Sequence, residues 1–182
     1  ILPIIDIKNK VSENENGLSL KISNGNIEFK DISFKYENNA DYDLGLTKTK
    51  FETKNNVLNN INLKIQSGKM TSLVGHSGAG KSTILNLIPR FYNPSSGQIF
   101  IDEQSIQEVK LSTLRKNISL VSQDTTLFDD TIHNNILYAN LNATEEKVHE
   151  AAKLSFALDF IEKLPNKFNT MIGENGVRLS GG

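Results

Sequence analysis

A run of nine residues contains the side chains and glycines in this chain that are best suited to chemistry. It reads Gly75-His76-Ser77-Gly78-Ala79-Gly80-Lys81-Ser82-Thr83. Glycines let successive backbone N–H groups turn toward one point, and a lysine and a helix N-terminus add positive charge there. Ser82 adds a hydroxyl oxygen, the kind of ligand that Mg²⁺ prefers. The pattern G-x-x-x-x-G-K-[ST] therefore predicts a loop that binds the phosphates of a nucleotide.

The segments on either side of this loop are the elements that must position it. Met70 to Val74 is apolar and predicts a short strand, and Ser82 to Phe91 predicts a helix. A strand before the loop and a helix after it are the context that the motif requires. At about 4 Å and an effective dielectric near 20, Lys81 would attract one phosphate charge by roughly 4 kcal/mol. The loop alone does not choose among ATPases, GTPases and kinases.

Alternating apolar residues predict further strands around this centre. In the first of them Ile32, Phe34 and Tyr36 alternate with polar residues. The predicted strands lie at 27–36, 57–65, 98–102 and 118–121. Residues 37–56 have no periodicity and predict a long loop. Strands that surround a crossover helix indicate an α/β arrangement.

Beyond Gln123 helical patterns replace the strands. Asp130 and Thr131 can cap a helix that runs through Tyr138, and Leu111 to Asn117 predicts a short helix before it. A stronger helix is predicted from Thr144 to Pro165, with one apolar side. That side carries Val148, Ala151, Ala152, Phe156, Leu158 and Ile161.

Composition excludes several classes of function. The 182 residues include 20 Lys and Arg against 21 Asp and Glu, a net charge of −1, so a large basic surface for nucleic acid is not expected. The chain has no Cys, which removes disulfides and thiolate metal sites. No apolar run approaches the roughly 20 residues that cross a bilayer. His76, His133 and His149 are not at metal-ligand spacing.

Two further motifs complete a resemblance. Gln123 follows the predicted strand at 118–121, and the chain ends Leu179-Ser180-Gly181-Gly182. A phosphate loop, a Gln at a strand end, a helical segment and Leu-Ser-Gly-Gly together resemble the nucleotide-binding domain of ATP-binding cassette (ABC) proteins, from about Ile27 to Gly182. The exporter branch is indicated by a further set of residues: 122–128, Thr131-Ile132, Asn135-Ile136, Leu164-Pro165, Thr170, 172–174 and Gly176.

The resemblance implies a fold and a division of the chain. The fold is α/β: a P-loop NTPase (RecA-like) core with an antiparallel β subdomain and an α-helical subdomain. Residues 1–26 would be a linker after an absent transmembrane domain. Residues 27–122 would be the β subdomain and an incomplete P-loop ATP-binding core, and 123–182 the Q-loop and helical subdomain ending in the signature motif.

The family places further catalytic residues after the signature motif. There an apolar strand ends in Asp-Glu, and a D-loop and a switch His follow it. We expect the chain to stop before this part of the core, so that the chain alone binds nucleotide weakly and hydrolyses it poorly or not at all. The full-length protein would be an ATP hydrolase.

The resemblance also implies roles for single residues near the loop. Tyr36 would stack on adenine, with Tyr42 as the alternative aromatic residue. Residues 75–83 would hold the phosphates. Lys81 and Gln123 would act in catalysis. Ser82 and Gln123 would bind Mg²⁺, and the amide of Gln123 could also reach the attacking water.

The end of the chain would contact a second subunit. Ser180, Gly181 and Gly182 would clamp the γ-phosphate of ATP bound to that subunit, and Glu174 would lie near the membrane domain's coupling helices. ATP and Mg²⁺ are the implied cofactors. The implied partners are a second nucleotide-binding domain, in a homo- or heterodimer, and a transmembrane domain of the same polypeptide, with no nucleic acid.

The function implied is that of an ABC exporter. Two such domains would bind two ATP molecules between them, and this dimerisation and the hydrolysis of ATP would power transport of a substrate across a membrane. This domain would lie on the cytoplasmic face. The membrane would be an inner or plasma membrane, or that of an organelle. Two alternatives remain: a soluble ABC ATPase of DNA repair or translation, and a non-catalytic regulatory module that binds ATP. The sequences before Ile1 and after Gly182 would distinguish them.

Overall fold

The structure is a computed structural model that describes residues 11, 13–36, 56–121 and 127–173. The chain divides into two compact units, Ile1–Ser119 and Leu120–Gly182. Each unit has a hydrophobic core of its own. The domain boundaries at residues 26 and 122 remain a prediction.

An antiparallel sheet of four strands is the centre of the first unit. Its strands are β1 (Ile27–Phe34), β2 (Leu58–Ile65), β3 (Ser96–Ile101) and β4 (Gln104–Ser105), and its helices are α1 (Lys81–Leu87) and α2 (Leu111–Lys116). The strand order is β2-β1-β3-β4, so β1 pairs on both edges. The strands predicted at 27–36, 57–65 and 98–102 are confirmed, as is the helix at 111–117. The helix after the phosphate loop forms but ends earlier than predicted, at Leu87.

A bulge in β1 lets its apolar residues share one face. Phe29 and Ile32 are both fully buried although they are three positions apart, a spacing that strict alternation would place on opposite faces. The pairing register shifts between them, and Asp31 adopts a φ of 51°. The extra residue returns Ile32 to the core side. Gly97 lies against this bulge, where a Cβ would collide with the carbonyl oxygens of Lys30 and Asp31.

The turn between β3 and β4 anchors the chain that precedes β1. Asp102 and Glu103 form the two-residue turn with φ of 46° and 66°, as in a type I′ hairpin. The Asp102 carboxylate accepts hydrogen bonds from the backbone N–H groups of residues 23–26, at 2.8–3.0 Å. These bonds hold the pKa of Asp102 far below its usual range. Leu20, just before this segment, is buried in the core of the first unit.

This anchor predicts a pH-dependent contribution to stability. A carboxyl whose pKa is depressed in the fold stabilises it above its unfolded pKa of about 3.9, and the contribution is lost as pH falls below that value. We therefore expect Asp102→Asn to lower the urea midpoint of unfolding at about pH 6, and the difference from wild type to narrow between about pH 4 and pH 2. Urea titrations at several pH values measure this.

The neighbouring turn residue provides the control for that measurement. Glu103→Gln removes a carboxylate from the same turn, but among the described residues Glu103 accepts none of the bonds from 23–26. The urea midpoint of Glu103→Gln should stay close to that of wild type at every pH. If the urea midpoints of Asp102→Asn and wild type differ by the same amount at both ends of the pH range, the role of the ionised carboxylate is contradicted.

Two predicted strands are wrong in this structure. Residues 70–74 and 118–121 form no strand. Met70 and Val74 are 97% and 94% exposed, and Val121 is 90% exposed. A strand requires a partner for its backbone hydrogen bonds, and no segment within the described residues pairs with either stretch. Apolar character alone therefore does not make these segments strands.

The second unit is helical. It contains α3 (Ile132–Leu137), α4 (Glu145–Leu154), α5 (Leu158–Ile161) and a 3₁₀ turn (Lys167–Asn169). Thr131 caps α3, since its side chain accepts a hydrogen bond from the Asn134 N–H at 3.1 Å, which confirms the predicted helix start. The core consists of Ile132, Val148, Ala152, Ile161, Phe168 and Ile172. No helix in the described part of the chain is both long and apolar enough to span a bilayer.

The single helix predicted from Thr144 to Pro165 is wrong. It divides into α4 and α5, because Phe156 adopts a φ of 58° that a continuous α-helix does not allow. The Phe156 side chain, predicted on the apolar side, is 90% exposed. The chain changes direction at this break, and Ile161 thereby packs in the same core as Val148.

Candidate functional site

The glycines of the loop at 75–83 have backbone conformations that other residues rarely adopt. Gly78 and Gly80 have φ of 79° and 85°. A Cβ at Gly80 would lie 2.6 Å from Leu58 Cδ2, whereas one at Gly78 would meet open space. Gly80 therefore lets the loop pass close to β2, and both glycines provide the left-handed turns that bring backbone N–H groups together.

Lys81 folds back over this loop from the first position of α1. Its Nζ donates hydrogen bonds to Gly75 O at 2.9 Å and to His76 O at 2.8 Å. An ammonium group has three donors, so one remains for a ligand. The positive charge is thereby held at the loop, as a phosphate site requires.

Several backbone donors of the loop are available to an anion. The Ala79 N–H bonds to His76 O at 3.2 Å. Within the described ranges the structure gives no acceptor for the N–H groups of Gly78, Gly80, Lys81 and Ser82. Residues 75–79 and Ser82 are exposed. Unpaired amides beside an ammonium group fit the charge and the acceptor oxygens of a polyphosphate.

Tyr36 lies beside the end of the loop. Its hydroxyl is 3.0 Å from Thr83 Oγ1, and Thr83 is only 4% exposed. Its ring makes edge contacts with Phe34 and Tyr92, at centroid distances of 4.7 and 5.2 Å. The structure thus brings together two predicted site residues that are 47 positions apart. Sequence reasoning missed this hydrogen bond, because no periodicity or motif connects the two positions.

Tyr36 also borders a cavity of about 640 Å³ in the same unit. Its lining combines aromatic rings with two cationic side chains: Phe34, Lys35, Phe91, Tyr92 and Arg115 join Tyr36 there. Arg115 donates to Pro89 O at 3.0 Å and to Arg90 O at 2.9 Å. It therefore holds the chain that leaves α1, a role for which the sequence carries no signal.

Other predicted site residues are not in the described part of the chain. They are Tyr42, Gln123, Glu174, Ser180, Gly181 and Gly182. Of the two predicted Mg²⁺ ligands only Ser82 is described, and it is exposed in the first turn of α1. Among the described residues no cluster of three or more His, Asp or Glu could hold a metal ion by itself.

Comparisons with known proteins give consistent matches. The family model for ABC transporters matches residues 58–182. The chain is 46% identical over 171 residues to an ATP-dependent lipid A-core flippase of Legionella pneumophila strain Paris, covering 93% of this chain and 26% of that protein. A protein of the same name from Photorhabdus laumondii is 44% identical over 184 residues, covering 100% of this chain and 29% of that protein.

A solved structure agrees with these matches. A bacterial Atm1-family ABC exporter with ATP bound superposes with a TM-score of 0.85 and 34% identity, covering 99% of this chain and 29% of that one. The predicted α/β fold class is confirmed. The chain spans less than a third of the length of each of these proteins.

Proposed function

Because this chain belongs to the ABC transporter family, we propose that it is the ATP-binding domain of an exporter in which ATP binding and hydrolysis drive transport across a membrane. The observation that carries this proposal is the loop at 75–83, where the Lys81 ammonium lies beside backbone amides that have no acceptor among the described residues. This arrangement suits a polyphosphate. The relatives are named ATP-dependent flippases, and the structural neighbour is an exporter with ATP bound. These names support the ATP-driven step and do not favour the two alternatives.

The loop residues have defined tasks in this proposal. The loop amides other than that of Ala79, together with the Lys81 ammonium, hold the phosphates and counter the charge that develops during phosphoryl transfer to water. This reaction is catalysed mainly by positioning and charge. The Ser82 hydroxyl would be one Mg²⁺ ligand and Gln123 the other. Bound Mg²⁺ supplies further charge neutralisation on the phosphate oxygens. Gln123 would also orient the attacking water.

Base recognition is proposed for Tyr36. Its ring belongs to the same unit as the phosphate loop, and its hydroxyl is hydrogen-bonded to Thr83 at the end of that loop. An aromatic face is suited to a flat base such as adenine. Because the ring lies close to the loop, a single nucleotide is expected to place its base on Tyr36 and its phosphates in the loop.

The wider organisation is proposed from the family. Residues 1–26 would link the domain to a transmembrane part of the same polypeptide, with 27–122 and 123–182 as its two subdomains. Ser180, Gly181 and Gly182 would clamp ATP on a second nucleotide-binding domain. The domain would lie on the cytoplasmic face of the membrane.

Calorimetric titration of the purified chain tests the proposal. With Mg²⁺ present, ATP should bind at least tenfold more tightly than adenosine, because the loop contacts only the phosphates, and more tightly than tripolyphosphate, because Tyr36 contacts only the base. Omitting Mg²⁺ should weaken ATP binding. Adenosine that binds as tightly as ATP would contradict a phosphate site at 75–83.

A further inference from the structure

The position of the Tyr36 ring depends on contacts beyond β1. The strand ends at Phe34, and the backbone at 35–36 makes no strand pairing. The ring is instead held by edge contacts with Phe34 and Tyr92 and by the hydrogen bond between its hydroxyl and Thr83 Oγ1. The hydroxyl is the one polar atom by which this ring is attached to α1.

The two aromatic contacts and the hydrogen bond constrain the ring differently. Edge contacts between rings occur over a range of centroid distances, about 4.5–7 Å, so they restrict the position of the ring only loosely. A hydrogen bond fixes a distance and a direction. Thr83 is buried in α1, so it offers a rigid point of attachment. The hydroxyl therefore sets where the ring lies relative to the phosphate loop.

We propose that Tyr36 is a positioning residue whose hydroxyl, bonded to Thr83, fixes the ring at the distance from the loop that one nucleotide spans. This inference rests on the proposed function, in which the ring face binds the base. Binding of the base then depends on the hydroxyl as well as on the ring. A ring without the hydroxyl retains its aromatic face but must be ordered when the nucleotide binds, which lowers affinity.

Tyr36→Phe isolates the hydroxyl, and the neighbouring ring gives a matched control. Tyr92→Phe removes the same atom from the same cluster, and the structure gives the Tyr92 hydroxyl no hydrogen-bond partner among the described residues. Thr83→Val removes the other half of the bond. Because Thr83 also belongs to the phosphate loop, the Thr83→Val variant is compared only with the double variant that also carries Tyr36→Phe.

The test is calorimetric titration of ATP and of tripolyphosphate into each variant of the whole chain. Tyr36→Phe should bind ATP about three- to tenfold more weakly, with tripolyphosphate affinity within about twofold of wild type. Tyr92→Phe should match wild type for both ligands. In the Thr83→Val background, Tyr36→Phe should cause no further loss of ATP affinity. Thermal unfolding shows that each variant is folded.

Three results would overturn the inference. They are wild-type ATP affinity in Tyr36→Phe, an equal loss of ATP and tripolyphosphate affinity in that variant, and additive losses in the double variant. Wild-type protein that binds neither ligand would overturn the proposed function, and the positioning role with it. Wild-type protein that binds ATP normally while Tyr36→Phe is unaffected would overturn the positioning role alone.

Discussion

Replacing Lys81 by alanine is expected to lower the affinity for ATP by about 100-fold or more. The ammonium is held over the loop by Gly75 O and His76 O, so its charge is already in place when the phosphates bind. A charge pair at about 4 Å is worth roughly 4 kcal/mol at an effective dielectric near 20, and desolvation offsets part of this. A net loss of about 2.7 kcal/mol corresponds to the 100-fold change.

Titration of ATP into wild type and variant measures this effect. Lys69→Ala is the control, since it removes the same charge from an exposed side chain close in sequence that bonds only to Gln66 Oε1, at 2.8 Å, among the described residues. That variant should bind ATP within about twofold of wild type. Added salt should weaken ATP binding less in Lys81→Ala than in wild type. A loss smaller than about fivefold in Lys81→Ala would contradict the role of the loop.

Replacing Gly80 by alanine is expected to destabilise the fold by about 2–3 kcal/mol. A residue with a side chain in the left-handed region costs about 1–2 kcal/mol. The new Cβ would also lie 2.6 Å from Leu58 Cδ2. Leu58 is 2% exposed in the core of the first unit, so its side chain has little room to move. The loop or β2 must shift, and the ATP affinity should fall as well.

Gly78→Ala separates the two causes. Gly78 has a similar φ, but a Cβ there meets open space. The free energy of unfolding of this variant should fall by only about 1–2 kcal/mol, the cost of placing a side chain in the left-handed region. Urea denaturation of the three proteins gives the difference between them. If Gly78→Ala and Gly80→Ala lower the free energy of unfolding by the same amount, the close approach of Gly80 to Leu58 does not constrain the loop.

Patterns confined to a few neighbouring residues were predictable from sequence. The phosphate loop is one of them, because its conformation depends on glycines and a lysine at fixed spacing. The cap at Thr131 is another, since a capping side chain reaches a backbone N–H only three residues away. The α/β class followed from strand and helix periodicities, and the family followed from the loop together with the motifs that come after it.

Features that join distant segments were decided by the tertiary structure. Residues 70–74 have the apolar character of a strand, but a strand also needs a partner, which periodicity does not reveal. The break at Phe156 arises where a strong local helix preference yields to packing of Ile161 in the core. Propensity is a weak constraint beside burial of a whole side chain.

The sequence by itself determined the phosphate-loop pattern at 75–83 and the family of this chain, because each motif that indicates them is a short run of neighbouring residues. The tertiary structure alone decided that Tyr36 bonds to Thr83, 47 positions away, and that Asp102 holds residues 23–26. Such contacts depend on how the chain returns on itself. A hydrogen bond forms only between atoms about 3 Å apart, and local sequence patterns do not determine that distance for remote residues.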